Sequence, residues 1–308
     1  MRTVFMGNPE FAIPPLKALQ QSNHDLVAVV SNPPKPMGRG QALMSTAVGK
    51  FAKNQGFPLI EPRSLRSQAL NTQLTALNPD LFVVVAYKIL PKSLIGLPRF
   101  GALNVHASLL PKYRGAGPIQ WALMNGDTTT GVTIFQITPD VDTGDILLQQ
   151  EIAIGADDTM WTLGMRLCEE GGKLVIEAMD ALETGSILGK PQDPALATPA
   201  PKITKEMTLI NWAWPAKKIH NWVRGLSPFP GMVTTISGKQ FRIYKTAVLD
   251  RNGNAPGTIV ELHNESLVIA TGDGHLSLLE VQIEGKKKMP AADFLRGATL
   301  KAGDRLGL

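Results

Sequence analysis

Asn104 and His106 stand two residues apart at the end of the apolar run Ala102–Val105. In an extended segment that spacing turns both side chains to one face. An amide donor beside an imidazole is chemistry suited to a carbonyl oxygen that gains negative charge. The same pair would also serve as a structural asparagine and a hydrogen-bonded histidine closing a strand. A second concentration of reactive types lies at Asp140-Val141-Asp142-Thr143-Gly144-Asp145. Three carboxylates in so short a turn could form a metal loop, a catalytic site or ordinary turn chemistry. A calcium loop of the EF-hand type needs more oxygen ligands and a terminal glutamate, and the segment offers neither. A carboxylate that met His106 in space would orient and charge its ring.

These residues need a scaffold, and the first half of the chain alternates apolar runs with amphipathic stretches. The pattern predicts strands at Thr3–Met6, Leu26–Val30, Phe57–Ile60, Leu81–Ala86 and Ala102–Val105, with helices over Lys17–Gln21, Ala47–Gln55 and Leu65–Leu77. The βαβ alternation implies an α/β fold with a doubly wound, mainly parallel, Rossmann-like sheet. Leu81–Ala86 is apolar throughout, as a central strand covered on both faces would be. Ligands of such sheets bind beyond the carboxyl ends of strands, where Asn104 and His106 fall. After the first strand, Gly7-Asn8-Pro9-Glu10-Phe11 lacks the G-x-G-x-x-G turn, so a nicotinamide cofactor loses its main support. Two more strands are expected at Gly131–Thr138 and Asp145–Ile154, then a helix from about Thr159 to Glu183.

Four prolines between Pro191 and Pro201 interrupt any periodicity and mark a linker at 190–206 between domains at 1–189 and 207–308. Beyond it, a short helix near Pro215–Leu226 precedes strands at Met232–Ile236, Phe241–Ala247, Gly257–Leu262, Ser266–Ala270 and Ser277–Gln282. Five short strands suggest a small C-terminal β-barrel, OB-like in size. Residues 1–200 carry 16 Lys and Arg against 17 Asp and Glu, whereas residues 201–308 carry 15 against 9. A neutral front and a basic back suggest chemistry in the first part and a polyanion on the second. Lys286-Lys287-Lys288 is the densest basic run there. In the front half, the long loop Pro33–Met44 exceeds an ordinary βα connection and sets Arg39 between Gly38 and Gly40. Glycines let a backbone approach nucleic acid closely while a guanidinium reaches phosphates or base edges.

One cysteine, Cys168, excludes an intramolecular disulfide framework, and it lies in a helical stretch where a buried, inert thiol is expected. The five histidines lack zinc-site spacing, and no metal is implied. No apolar run reaches the length of a membrane helix, and the first residues enter a strand-like run without a secretory pattern. A cytoplasmic protein is expected, with no membrane partner and a monomer favoured.

Taken together, Asn104-Val105-His106-Ala107-Ser108-Leu109-Leu110-Pro111, Tyr113–Ile119, Gly131-Val132-Thr133 and Asp142-Thr143-Gly144-Asp145 resemble the core of the folate-dependent formyltransferases in residues, order and spacing. The resemblance implies catalytic roles for Asn104, His106 and Asp142, with Asp145 the competing carboxylate. It places folate contacts at Ser108, Leu109, Leu110 and Pro111. Phe5–Phe11, Ala200–Glu206, Gly285–Met289 and Gly303–Leu306 are similar to members that act on charged tRNA. By that likeness, the expected reaction moves formyl from 10-formyltetrahydrofolate to methionine on initiator tRNA, with Arg39 touching the tRNA; from the basic balance, Lys286, Lys287 and Lys288 are expected to hold tRNA phosphates, the alternative being a solvated turn. His106 is expected to be protonated. Ala86-Tyr87-Lys88-Ile89-Leu90-Pro91 departs from the family pattern: it is one residue shorter and lacks the glycine after tyrosine.

Overall fold

The computed structural model describes residues 1–38, 40–263 and 266–307. In chain order the front half gives β1 (Arg2–Gly7), α1 (Ile13–Gln20), β2 (Asp25–Val30), β3 (Lys35–Met37), β4 (Ala42–Met44), α2 (Ala47–Gln55) and β5 (Leu59–Ile60). There follow α3 (Gln68–Ala76), β6 (Leu81–Val85), α4 (Lys92–Ile95), β7 (Ala102–His106), α5 (Pro118–Asn125), β8 (Thr129–Gln136), β9 (Ile146–Ala153) and α6 (Met160–Glu183). The back half gives α7 (Ala216–Gly225), β10 (Met232–Ile236), β11 (Lys239–Leu249), β12 (Ile259–His263), β13 (Ser266–Ala270), β14 (His275–Ile283), β15 (Met289–Pro290) and α8 (Ala291–Leu295).

Backbone contacts divide the chain into two compact units, one of residues 1–115, 129–153 and 164–200, the other of 116–128, 154–163 and 201–308. The partition does not follow a single cut near the proline-rich segment. Residues 190–200 are bonded into the first unit: Lys190 exchanges backbone hydrogen bonds with Ile146, and Arg114 does so with Thr198 and Ala200. The helix α5 groups with the second unit for an aromatic reason. Trp121 meets Trp222 edge to face at 6.3 Å, and Trp214 lies 5.0 Å from Trp222.

The first unit is built on a seven-stranded sheet in the order β5-β2-β1-β6-β7-β8-β9. From β5 to β7 every pairing is parallel, whereas β7–β8 and β8–β9 are antiparallel, so the sheet is mixed. The chain leaves β1 first toward β2 and later returns to β6 on its other side, which makes β1/β6 the switch point of the sheet. All five residues of β6 are buried, as its unbroken apolar run requires. Val4, Met6, Ala28, Val30, Phe82 and Val84 form one core layer with Leu70 and Leu74 of α3. Helices α2 and α3 begin where Thr46 and Ser67 accept hydrogen bonds from the Gly49 and Leu70 backbone amides. The loop between β2 and α2, expected to be irregular, contains the antiparallel pair β3–β4. Arg39 lies outside the described residues.

The second unit holds a six-stranded sheet in the order β10-β11-β14-β13-β12, with β15 on β14. All of its strand pairings are antiparallel. Among the described residues the order is open, so it is an antiparallel sheet and not a closed barrel. Ile219 and Val223 of α7 pack with Phe241, Ile243, Leu276 and Leu278 in its core. Among the described residues no helix is long and apolar enough to cross a membrane.

Candidate active site

The strand β7 ends at the carboxyl edge of the first sheet and carries Asn104 and His106 on one face, opposite Phe135 and Thr133 of β8. Asn104 is half-buried, and its side-chain amide makes no hydrogen bond among the described residues. An uncommitted amide at a strand end is available to a ligand. His106 is only 6 % exposed, and its Nε2 lies 2.9 Å from the Tyr113 carbonyl oxygen. A carbonyl can only accept, so Nε2 carries the proton and Nδ1 is left to face Asp142 Oδ2 at 3.7 Å.

Asp142 reaches that position from a left-handed backbone, with φ of 54°. Aspartate tolerates this conformation better than most residues, yet it is a strained one. The geometry is held from both ends. Gly115 donates its amide to Asp142 Oδ2 at 2.8 Å, and the Gln192 side-chain amide donates to the carbonyls of Asp142 and Gly144 at 2.9 and 2.8 Å. Gln192 in turn accepts two hydrogen bonds from the Arg114 guanidinium, at 3.1 and 2.7 Å. At Gly144 any added Cβ would overlap the Gln136 carbonyl oxygen, so the turn closes only with glycine there. Asp140, Asp142 and Asp145 do not gather into a metal-ligating group among the described residues.

Burial pushes His106 below the ordinary histidine value of 6.5, opposed by the charge of Asp142 and by the hydrogen bond to Tyr113. The resting imidazole is therefore neutral near pH 7. This corrects the expectation of a standing imidazolium: desolvation outweighs a carboxylate 3.7 Å away.

The Ser108–Pro111 stretch is pinned to the neighbouring strands by polar contacts that residue types alone do not reveal. Thr133, fully buried, donates its hydroxyl to the Ser108 carbonyl at 2.7 Å and accepts from the Leu110 amide at 3.1 Å. Gln149 donates to the Leu110 carbonyl and to Thr133 Oγ1, each at 2.8 Å. The Ser108 hydroxyl closes the turn on the Lys112 carbonyl at 2.6 Å. Leu109 lies against Gly131, where an added Cβ would collide with its side chain, and Leu110 is buried. Lys88 is exposed.

Lys286, Lys287 and Lys288 lie in the second unit, after β14, and all three are exposed. They are not equivalent. Lys288 pairs with Glu280 at 2.9 Å and stands 5.3 Å above the Tyr244 ring. Cys168 is buried, and burial with the nearby Glu169 pushes its thiol up to about 12, which removes it as a nucleophile.

A strand-end amide and imidazole, with a carboxylate facing the imidazole, thus belong to the mixed sheet of the first unit. Residues 1–179 match the family described as formyl transferase, and residues 202–299 match formyl transferase, C-terminal domain. The chain belongs to this family, and the curated relatives it matches along its length are methionyl-tRNA formyltransferases. It is 43% identical over 305 residues to the methionyl-tRNA formyltransferase of Geobacter metallireducens, covering 99% of this chain and 98% of that one. It is also 43% identical over 310 residues to that of Acidobacterium capsulatum, covering 100% of both. Among solved structures, HypX from Aquifex aeolicus in complex with tetrahydrofolic acid matches with a TM-score of 0.68 at 18% identity. That match covers 100% of this chain and 51% of HypX, so the chain spans about half of HypX and the likeness bears on fold alone.

Proposed function

We propose that the chain transfers the formyl group of 10-formyltetrahydrofolate to the α-amine of methionine on initiator tRNA, for translation initiation. The observation that carries this reading is the uncommitted Asn104 amide on one strand face with a buried His106 whose Nδ1 faces Asp142, in a chain that aligns end to end with its named relatives. Asn104, His106 and Asp142 are the catalytic residues, and Ser108, Leu109, Leu110 and Pro111 line the folate. Residues 1–189 would supply the chemistry and residues 207–308 the hold on tRNA, with 190–206 between them. By its size and basic balance the C-terminal sheet would be an OB-like module that grips the tRNA. Arg39 is assigned to tRNA contact from its glycine-flanked position and family resemblance.

In the reaction the neutral amine attacks the formyl carbon and the carbonyl π pair moves to oxygen. Asn104 donates a hydrogen bond to that oxyanion. The proton on the former amine passes to Nδ1 of His106, and Asp142 stabilises the imidazolium that forms. Charge on the ring thus arises with the oxyanion instead of preceding it. Collapse of the adduct breaks the bond from carbon to the folate nitrogen, which takes the proton back from His106. The products are formyl-methionyl-tRNA and tetrahydrofolate, and no covalent enzyme intermediate is required.

The test is formyl transfer from 10-formyltetrahydrofolate, measured side by side with initiator methionyl-tRNA, elongator methionyl-tRNA, small amines and water alone. Transfer that requires methionyl-tRNA and favours the initiator is expected. Release of formate with no acceptor at the same rate would make the chain a hydrolase, and preference for a small amine would end the tRNA assignment.

A further inference from the structure

A cavity of about 320 Å³ opens within the second unit and is lined by Trp161, His220, Tyr244, Lys245, Glu280 and Lys288 among others. Its wall is an irregular piece of sheet. In the β11–β14 ladder Ile243 pairs with Val281, Lys245 with Glu280 and Thr246 with Leu278, so the register slips on both sides of Lys245. Such bulges re-aim side chains out of the regular alternation. Here the irregularity falls on Tyr244 and Lys245, both of which line the cavity. Lys245 is exposed, and its ammonium group has neither an ion pair nor a hydrogen bond among the described residues.

The other walls are already committed to a fixed shape. Arg224, also in the lining, is anchored by the carbonyls of Asp158 and Gly155 at 2.8 and 2.7 Å. His220 Nδ1 lies 2.9 Å from the Thr246 hydroxyl, and burial holds its ring below the ordinary histidine value, so it is neutral near pH 7. Ser227 donates its hydroxyl to the Tyr244 carbonyl at 2.6 Å and fixes the turn that carries Pro228 and Phe229. Trp161 is 39% exposed and Phe229, next to the rim residue Pro228, is 79% exposed.

The chemistry of the lining selects its occupant. A bare anion would meet the carboxylates of Asp157 and Glu280 as well as the cations, and an apolar ligand would strand all of them. A nucleotide satisfies both kinds of wall, with its base against the partly exposed Trp161 ring and polar edge groups and its phosphate near Lys245. The volume suits one small-molecule-sized group, which a base inside a paired helix cannot supply. We infer that this cavity takes one unpaired, splayed-out nucleotide of the tRNA. The inference rests on the proposed function and adds to it a discrete subsite, distinct from the lysine run at 286–288 except for the shared Lys288.

The experiment uses the full chain and initiator tRNA carrying 4-thiouridine in place of uridine. Irradiation should place crosslinks on peptides containing Trp161 or Tyr244. Dissociation constants by filter binding should rise about fivefold or more for Trp161→Ala, the range expected when a base is deprived of its stacking partner, with much of the affinity recovered in Trp161→Phe. Lys245→Ala should weaken binding about threefold and lower the salt slope by about one, as when a single phosphate is left without its cation. Thermal unfolding of each variant separates these effects from misfolding, and Lys245, being exposed, tests the site even if Trp161→Ala fails to fold. Unchanged affinity in Lys245→Ala, or crosslinks confined to other peptides, would overturn the subsite while leaving the wild-type reaction intact. A wild-type chain with no tRNA affinity would instead overturn the functional reading on which the subsite depends.

Discussion

The end of β7 and the basic side of the second unit both carry polar groups, yet they are built on opposite principles. Around His106 every partner is buried or half-buried and held by backbone: Tyr113 by its carbonyl, Asp142 through the Gly115 amide, and the Asp142 turn through Gln192. Around Lys286, Lys287 and Lys288 the side chains are exposed and, Lys288 apart, free of ion pairs among the described residues. A reacting atom must find its donors within a fraction of an ångström, and such positions are kept only by over-determined packing. A polyanion is held by many weak, screened interactions that tolerate movement. Substitution should therefore be sharply local at the first region and graded at the second.

The largest effects are expected at the trio. Asn104→Ala, His106→Ala and Asp142→Ala should each lower kcat roughly a hundredfold to a thousandfold, the usual consequence of removing one donor to an oxyanion or its coupled base. Affinity for tRNA should hardly change. A His106→Ala, Asp142→Ala double variant should be little worse than the poorer single one, because residues acting as a unit are not additive. Near-wild-type turnover in any single variant at saturating substrates would break the mechanism. Titration of the His106 ring by NMR sharpens the point: it should protonate below 6.5, and Asp142→Asn should move it lower still, since Asp142 is what raises it. The sign carries over to stability. Between the folded value and 6.5 the unfolded chain binds more protons at this site, so this residue's contribution falls as pH drops through that window.

A smaller effect should follow from Gln192→Ala. The substitution leaves the Asp142 and Gly144 carbonyls and the Arg114 guanidinium without their common partner. A drop of about 1–2 kcal/mol in stability is expected from unsatisfied, half-buried groups, and kcat should fall about tenfold through the freed Asp142 turn. Urea unfolding and steady-state kinetics on the same preparation check both. Retained kcat with lowered stability would make Gln192 a structural clamp only.

Gln192 also marks where the sequence stops being readable. It sits among prolines with no periodicity, and it bonds to backbone carbonyls some 50 residues away, which leave no pattern in residue type. The same is true of Gln149 and of the hydroxyl of Thr133, although Thr133 falls within the Gly131-Val132-Thr133 motif. The parallel core was legible because β1, β2 and β6 are apolar runs that only a doubly covered sheet can use. Periodicity says nothing about pairing direction, so the antiparallel run through β8 and β9 emerged only from the register. Family resemblance favours Asp142 over Asp145; the left-handed φ and the backbone donor that set Asp142 beside His106 are invisible in composition. The β3–β4 pair was hidden by Pro36 and by the glycines of its turn.

The smallest effects belong to the lysine run, and they test the comparison from its other side. Lys288 already has Glu280 at 2.9 Å and the Tyr244 ring beneath it, so its charge is partly engaged within the protein. Lys286 and Lys287 have no such partners among the described residues. Neutralising Lys286 and Lys287 together should therefore weaken tRNA binding more than Lys288→Ala does, by a few-fold at moderate salt, and similarly for initiator and elongator tRNAs. Each phosphate left without a cation should lower the slope of log affinity against log salt by a little under one, so the pair should flatten it by about one to two. The comparison would be reversed if Lys288→Ala gave the steeper fall in affinity, because a charge engaged in a fixed ion pair would then count for more than two free ones. Slopes identical to wild type in both variants would make the run a solvated turn with no part in holding nucleic acid.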